Sequence, residues 1–260
     1  MNNYKTPNNY PPALVNFLFA KGKKAGEINI NSFYLTLLDL INRKYVSVKT
    51  VSKKNDSTGK TLEKIILNIN RKSAAKLHPY EKNVLRCMYA LKCKGEINIL
   101  SSREVVRKRL KVNTFQKNYD AWMKNFYQEF IQKNELKTSD SKISQILGIG
   151  GWTEEGKEIK EKWDLFKKNF NDNLKSSNTS EEFLNDGINY IPHLLALGIP
   201  KTTLIKNLSE ASNITDAYIF IKYETDSIIK DIVQEFLHAD GSFDPKYYNT
   251  SGNFVPGFGL

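Results

Sequence analysis

Few side chains in this 260-residue chain are of the kinds that catalyse reactions or hold metals. The three histidines, His78, His193 and His238, fall in separate segments, without a cysteine, serine or carboxylate motif at a matching spacing. Cys87 and Cys93 are six positions apart, which on a helix sets them on different faces. They form neither a Cys-x-x-Cys nor a Cys/His zinc pattern, so reduced thiols are expected, with a lone disulfide as the alternative. Gly148-Ile149-Gly150-Gly151 precedes a helical pattern. It lacks the lysine of a P-loop and the third glycine of a dinucleotide fingerprint, and it reads as linker. Asp39, Glu63 and Asp120 are isolated acids in the sequence. They suggest neither a carboxylate pair nor a metal cluster. The expectation is therefore a non-enzymatic protein with no catalytic or metal site, no cofactor and no small-molecule substrate.

What the sequence has in excess is positive charge, and it is unevenly spread. Residues 1–150 carry 28 Lys and Arg against 11 Asp and Glu, a net +17. Residues 151–260 carry 11 against 17, a net −6. Such asymmetry marks a basic docking surface for nucleic acid, anionic lipid or an acidic partner. The competing reading is a Lys-, Asn- and Ile-rich composition of the kind AT-rich codons produce, but the acidic second half argues that composition is not the whole story. The candidate binding residues are Lys53, Lys54 and Lys60 on a predicted hairpin tip, and Arg103, Arg107, Lys108, Arg109 and Lys111 around one predicted helix.

The elements that would position them follow from periodicity. Pro11 and Pro12 open an apolar helix from Ala13 to Ala20, and Glu27–Ile30 alternates as a short strand. Asn31 or Ser32 would cap a helix through Phe33, Tyr34, Leu37, Leu38, Leu40 and Ile41. Strands Tyr45–Val51 and Leu62–Ile69 flank a polar turn, Lys53–Lys60. Helix, short strand, helix and basic-tipped hairpin is a winged-helix order, although the extra helix expected before the third is short or missing. A second unit repeats the theme: Gly95-Glu96-Ile97-Asn98-Ile99 copies Gly26-Glu27-Ile28-Asn29-Ile30, each preceded by a helix and followed by a capped one. In this unit helices are expected at Glu81–Leu91, Val105–Val112 and Thr114–Leu136. The last carries an aromatic stripe of Phe115, Tyr119, Trp122, Phe126 and Phe130, whose helical spacing predicts core.

Past a boundary at Thr138–Trp152, Thr153-Glu154-Glu155 begins a helix with a capping side chain and acids at its positive end. Further helices are expected from about Ser180 to Leu197 with a break near Pro192, then at Lys201–Leu208, Thr215–Tyr223 and Ser227–Leu237. The fold class expected is mainly α with short β-hairpins (α+β). It would comprise winged-helix-like units at 1–75 and 76–140, a linker at 141–152, an acidic helical domain at 153–239 and an irregular tail at 240–260. Met1–Tyr10 has no apolar signal-peptide region, and no run approaches the ~18 apolar residues of a membrane span, so the chain is expected to be soluble.

Several segments, taken in order, resemble one family. They are Tyr10–Leu18 (YPPALVNFL), Phe33–Tyr45 (FYLTLLDLINRKY), His78–Lys82 (HPYEK), Thr153–Lys157 (TEEGK), Lys162–Lys168 (KWDLFKK) and Tyr190–Ile199 (YIPHLLALGI). Together they are similar to the cytosolic part of the YciQ-like predicted-membrane-protein family, a domain of unknown function. Pro192 and His193 depart from the family's usual alanine- and leucine-containing run. The resemblance implies a cytosolic region that elsewhere follows a signal peptide, an extracytoplasmic β-rich domain and membrane spans. A membrane hairpin often separates its halves, at the position of Gly148–Gly151 here. Two readings stay open, a natural soluble member or a chain trimmed of its membrane parts, and the position of Met1 at the family boundary favours the second. The family brings no activity and no catalytic residues.

The leading expectation is a cytosolic interaction module of a membrane protein, at the cytoplasmic side of the membrane. Its basic half would dock on a protein partner or an anionic membrane surface. Nucleic-acid binding by the tandem winged helices is the alternative. It is weakened by the few base-reading side chains along Asn31–Arg43 and by the broad apolar face there.

Overall fold

The computed structural model describes residues 6–19, 28–54, 61–70, 74–92, 95–98, 109–132, 152–175, 180–224 and 228–238. These residues form a mainly helical α+β fold with a small antiparallel sheet. The first two helices set its centre. Helix α1 (Pro12–Phe19) starts on proline and buries Ala13, Leu14, Val15, Phe17 and Leu18, so it lies inside the protein rather than along its surface. Helix α2 (Ile30–Asn42) buries residues on nearly every side, including Phe33, Leu37, Leu38, Leu40 and Ile41, each with no exposed surface.

The start of α2 corrects the sequence reading. Asn29, not Asn31 or Ser32, is the N-cap: its Oδ1 accepts the Ser32 N–H at 3.1 Å, and Ser32 Oγ accepts the Asn29 N–H at 3.5 Å. Of the expected Glu27–Ile30 strand, Glu27 lies outside the described residues, Ile28 forms a bridge, and Ile30 already belongs to the helix. Asn16 Nδ2 donates to Ser32 Oγ at 3.0 Å, which ties the buried cap to α1. The C-terminus of α2 closes by a Schellman pair, with the Lys44 N–H donating to the Ile41 carbonyl and the Tyr45 N–H to the Leu40 carbonyl. This puts Lys44 at φ 64°, a conformation glycine usually supplies.

The hairpin is formed by β1 (Val46–Lys54) and β2 (Thr61–Ile69), in register from Val46↔Ile69 to Lys54↔Thr61. Strand β3 (Ile97–Asn98) joins the other edge of β2. Between them α3 (Pro79–Ala90) begins with proline in its first turn, and Glu81 reaches back to accept the His78 N–H at 2.8 Å. Helix α4 (Arg109–Phe126) runs unbroken where two helices, Val105–Val112 and Thr114–Leu136, were expected. It continues as a π-helical turn, Tyr127–Gln132. Position 113 carries a helix-tolerant Asn rather than Gly or Pro, so nothing breaks the backbone there. The aromatic stripe is core as expected: Phe33 meets Trp122 edge-on at 5.2 Å and Tyr119 at 5.3 Å.

The later helices are α5 (Glu154–Leu174), α6 (Glu181–Asn189), α7 (Ile191–Ala196), α8 (Lys201–Asn207), α9 (Asp216–Tyr223) and α10 (Ile228–His238). Thr153 caps α5 as expected, accepting the Gly156 N–H at 3.1 Å, and the break before Pro192 falls between α6 and α7. Their apolar residues join those of α1 to α4 in one buried cluster. Helix α2 is the common partner, touching α1, α3, α7, α9 and α10. Polar contacts cross the same seam: Val48 N–H donates to Asp216 at 2.9 Å, and Asn42 Nδ2 to the Asn189 carbonyl at 2.8 Å.

Candidate functional site: a basic cleft between α3 and α4

Of the eight basic residues singled out from the sequence, the structure describes the side chain of Lys111 alone. Lys53 and Lys54 end β1, paired in register with Leu62 and Thr61, and Arg109 opens α4. Lys60, Arg103, Arg107 and Lys108 lie outside the described residues.

Lys111 lines an open cleft of ≈ 670 Å³ between the C-terminal end of α3 and the N-terminal half of α4. From α3 and the residues after it come Arg86, Tyr89, Ala90 and Lys92. Arg86 and Tyr89, three apart, are neighbours on α3, and Lys92 follows just past its end. Gly95 follows at φ 91°, where a left-handed backbone turns the chain towards β3. Helix α4 contributes Lys111, Thr114 and Asn118.

Two of the cations are held in place. Lys111 Nζ donates to the Lys92 carbonyl, joining α4 to the end of α3. Lys92 Nζ lies 5.2 Å from the centre of the Tyr89 ring, itself 40% exposed. Among the described residues, no carboxylate pairs with Arg86, Lys92 or Lys111. Three cations, a threonine hydroxyl and an asparagine amide thus line the cleft. The sequence reading missed Arg86, Tyr89 and Lys92; the i, i+3 spacing of Arg86 and Tyr89 on α3 was the available signal.

The other polar clusters brace the fold. Asp39, isolated in sequence, is joined through Arg43 to Glu81: Arg43 Nε is 3.0 Å from Asp39 Oδ2, and Arg43 Nη2 pairs with Glu81. Burial pushes the Asp39 carboxyl up to about 6, against the opposing pull of Arg43. Glu81 is 1% exposed and holds both Arg43 and the start of α3, so the trio crosslinks α2 to α3 and offers no open site. His78 Nδ1 lies 2.6 Å from Glu129 in the π-helical turn. A second buried carboxylate, Glu224, accepts from Tyr34 Oη at 2.8 Å and from the Ile229 N–H at 3.4 Å, and its own carbonyl accepts from Lys201 Nζ. Burial raises its pKa above the ordinary carboxylate value.

His193 stacks on Trp163 at 5.4 Å and 9°, and its Nε2 is 2.9 Å from the Tyr10 carbonyl, so Nε2–H is the donor. Cys87 is a free, fully buried thiol beside the Phe115 carbonyl; Cys93 lies outside the described residues. Among the described residues, no group of three or more His, Cys, Asp or Glu side chains could hold a metal ion.

The described residues form a mainly helical α+β body with a basic cleft, and no described helix is long and apolar enough to cross a membrane. The chain belongs to the family described as predicted membrane protein (DUF2207), C-terminal domain, which matches residues 2–151. The matched segment ends where the charge changes sign, and it contains the cleft. No curated protein and no solved structure matches the chain.

Proposed function

We propose that this chain is a non-catalytic interaction module of a membrane protein, on the cytosolic side, whose basic half docks against an anionic membrane surface or an acidic protein partner. The observation that carries the reading is the segregation of charge. The +17 of residues 1–150 and the −6 of residues 151–260 belong to halves whose described residues share one buried core, yet the ion pairs seen among the described residues are made within each half. Arg43 pairs with Asp39 and Glu81, and His78 with Glu129, in the first half; Lys157, Lys160 and Lys162 pair with Glu154, Asp164 and Glu158 in the second. Membership of a predicted-membrane-protein family supplies the surface. Juxtamembrane cations contribute about 1 kcal/mol each near an anionic leaflet, so an excess of this size favours docking.

Co-sedimentation with phosphatidylcholine vesicles, with and without phosphatidylglycerol, tests it. Binding should require the anionic lipid and fade with salt; binding indifferent to lipid charge at low salt would refute membrane docking.

The second reading is nucleic-acid binding by winged-helix-like units, supported by the order α1, α2, hairpin and by Lys53 and Lys54 at the far end of β1. The burial of α2 weighs against it. A groove-reading helix must be exposed along one face, and α2 is covered by five other helices. A duplex titration at two salt concentrations separates the readings: a sequence preference that survives salt would favour nucleic acid.

A further inference from the structure

The cleft between α3 and α4 has a chemistry narrower than general basicity, and resting on the docking reading above, the geometry points to it as the seat of a lipid phosphodiester headgroup. Three observations select that ligand. Arg86, Lys92 and Lys111 converge on one open cleft, and none of them is neutralised by a described carboxylate. Lys111 is anchored on the Lys92 carbonyl, so its ammonium is held in the cleft at little further entropic cost when a phosphate arrives. Tyr89 stands at the rim, 40% exposed and beside the Lys92 ammonium.

An exposed tyrosine among cations is the side-chain pairing favoured at a membrane–water interface: the ring sits at headgroup depth while the cations take the phosphates. A DNA backbone would present a row of phosphates, whereas the cations here gather in one cleft between α3 and α4. Thr114 and Asn118 make the α4 wall polar, with Asn118 Nδ2 donating to the Thr114 carbonyl at 2.7 Å.

The test compares two triple variants of equal charge change on the whole chain. Arg86→Gln, Lys92→Gln and Lys111→Gln empty the cleft of charge while leaving position 111 a donor for the Lys92 carbonyl. Lys49→Gln, Lys76→Gln and Lys124→Gln remove three exposed lysines that do not line it. Affinity for phosphatidylglycerol-containing vesicles should fall roughly fivefold per cleft cation and much less in the second set, whose charges are held farther from the headgroups.

A second measurement on the unmodified protein guards against misfolding of a variant. Anionic vesicles should protect Lys92 and Lys111 from acylation, read by mass spectrometry, several-fold more than Lys49 or Lys124. Equal losses in the two triples, with equal protection of all four lysines, would overturn the cleft assignment while leaving membrane docking intact. No binding of the unmodified chain to anionic vesicles would remove both. Protection of Lys92 and Lys111 by inorganic phosphate or by a DNA duplex, and not by vesicles, would likewise overturn the lipid assignment.

Discussion

His193 should make the protein acid-sensitive in a way one substitution can isolate. The ring is clamped between the Trp163 indole, stacked at 5.4 Å, and the Tyr10 carbonyl, which accepts its Nε2–H at 2.9 Å. Its Nδ1 is sealed from water and has no hydrogen-bond partner among the described residues, so a second proton there would be an unpaired donor in a buried site. Burial accordingly lowers the pKa to about 4, despite the Tyr10 bond pulling upward.

A base whose folded pKa lies below its unfolded value contributes stability that is full above about pH 6.5 and lost as the pH falls towards 4. At 1.36 kcal/mol per unit, the loss between about pH 7 and about pH 4.5 is roughly 2 kcal/mol. Asp39 works in the opposite direction. Its carboxyl, raised to about 6, gains stability as the pH drops through that value, so the unmodified protein's own curve would partly hide the histidine. The difference between His193→Phe and the parent removes the Asp39 contribution.

Phenylalanine keeps the stacked face and gives up the bond to Tyr10. It should cost about 1 kcal/mol near neutral pH and become the more stable form near pH 4.5. Urea unfolding followed by tryptophan fluorescence at both pH values reads this crossing. Two curves that stay parallel across the range would refute the buried, neutral imidazole.

Other perturbations test the remaining braces. Tyr34→Phe removes the hydroxyl donated to Glu224 at 2.8 Å and leaves a buried carboxylate short of a donor; urea unfolding should show a loss of about 1–3 kcal/mol, smaller at acid pH where Glu224 takes a proton. Arg43→Ala leaves the carboxylates of Asp39 and Glu81 without their cation, and thermal unfolding should show a loss approaching the ~3–5 kcal/mol of a broken buried pair, reduced because Arg43 is 40% exposed. Gly187→Ala would set a Cβ 2.9 Å from Leu208 Cδ2 and 3.3 Å from the Phe170 ring; overpacking of about 1–3 kcal/mol should outweigh the ~1 kcal/mol helix-propensity gain, as a lowered melting temperature.

The sequence carried some of this structure and hid the rest for identifiable reasons. The hairpin, the Thr153 cap and the aromatic stripe of α4 were legible because each rests on local rules: alternation, a capping side chain, a helical period. The cap of α2 was misplaced because Asn29, Asn31 and Ser32 are all good caps, and only the buried bond from Asn16 to Ser32 Oγ shows which geometry wins. Asp39 looked isolated because its neighbours Arg43 and Glu81 come together only when α3 docks on α2, 38 residues separating the Arg43–Glu81 pair. The cleft was half visible. Its α4 wall fell within the basic run that ends at Lys111, while its α3 wall needed the helix boundary and the turn at Gly95 to bring Arg86, Tyr89 and Lys92 opposite.

The contacts across the charge boundary bear on how such a surface would work. A basic patch on a flexible tether binds by avidity and pays an ordering cost; one fixed to a rigid body presents its cations together. Here the basic half is braced by helices beyond the family match. Trp163 Nε1 donates to Asn8 at 3.0 Å, His193 holds Tyr10, Asp216 receives the Val48 N–H, and Glu224 receives Tyr34. Gln116 Nε2, on the same helix as Lys111, donates to the Phe236 carbonyl at 2.9 Å, and Phe115 packs on the Phe236 ring at 4.8 Å. The cleft's α4 wall is thus buttressed by α10 of the acidic half. If the basic half docks on an anionic surface as proposed, the net −6 of the other half opposes its own approach, and the same packing that fixes the cations would also orient them.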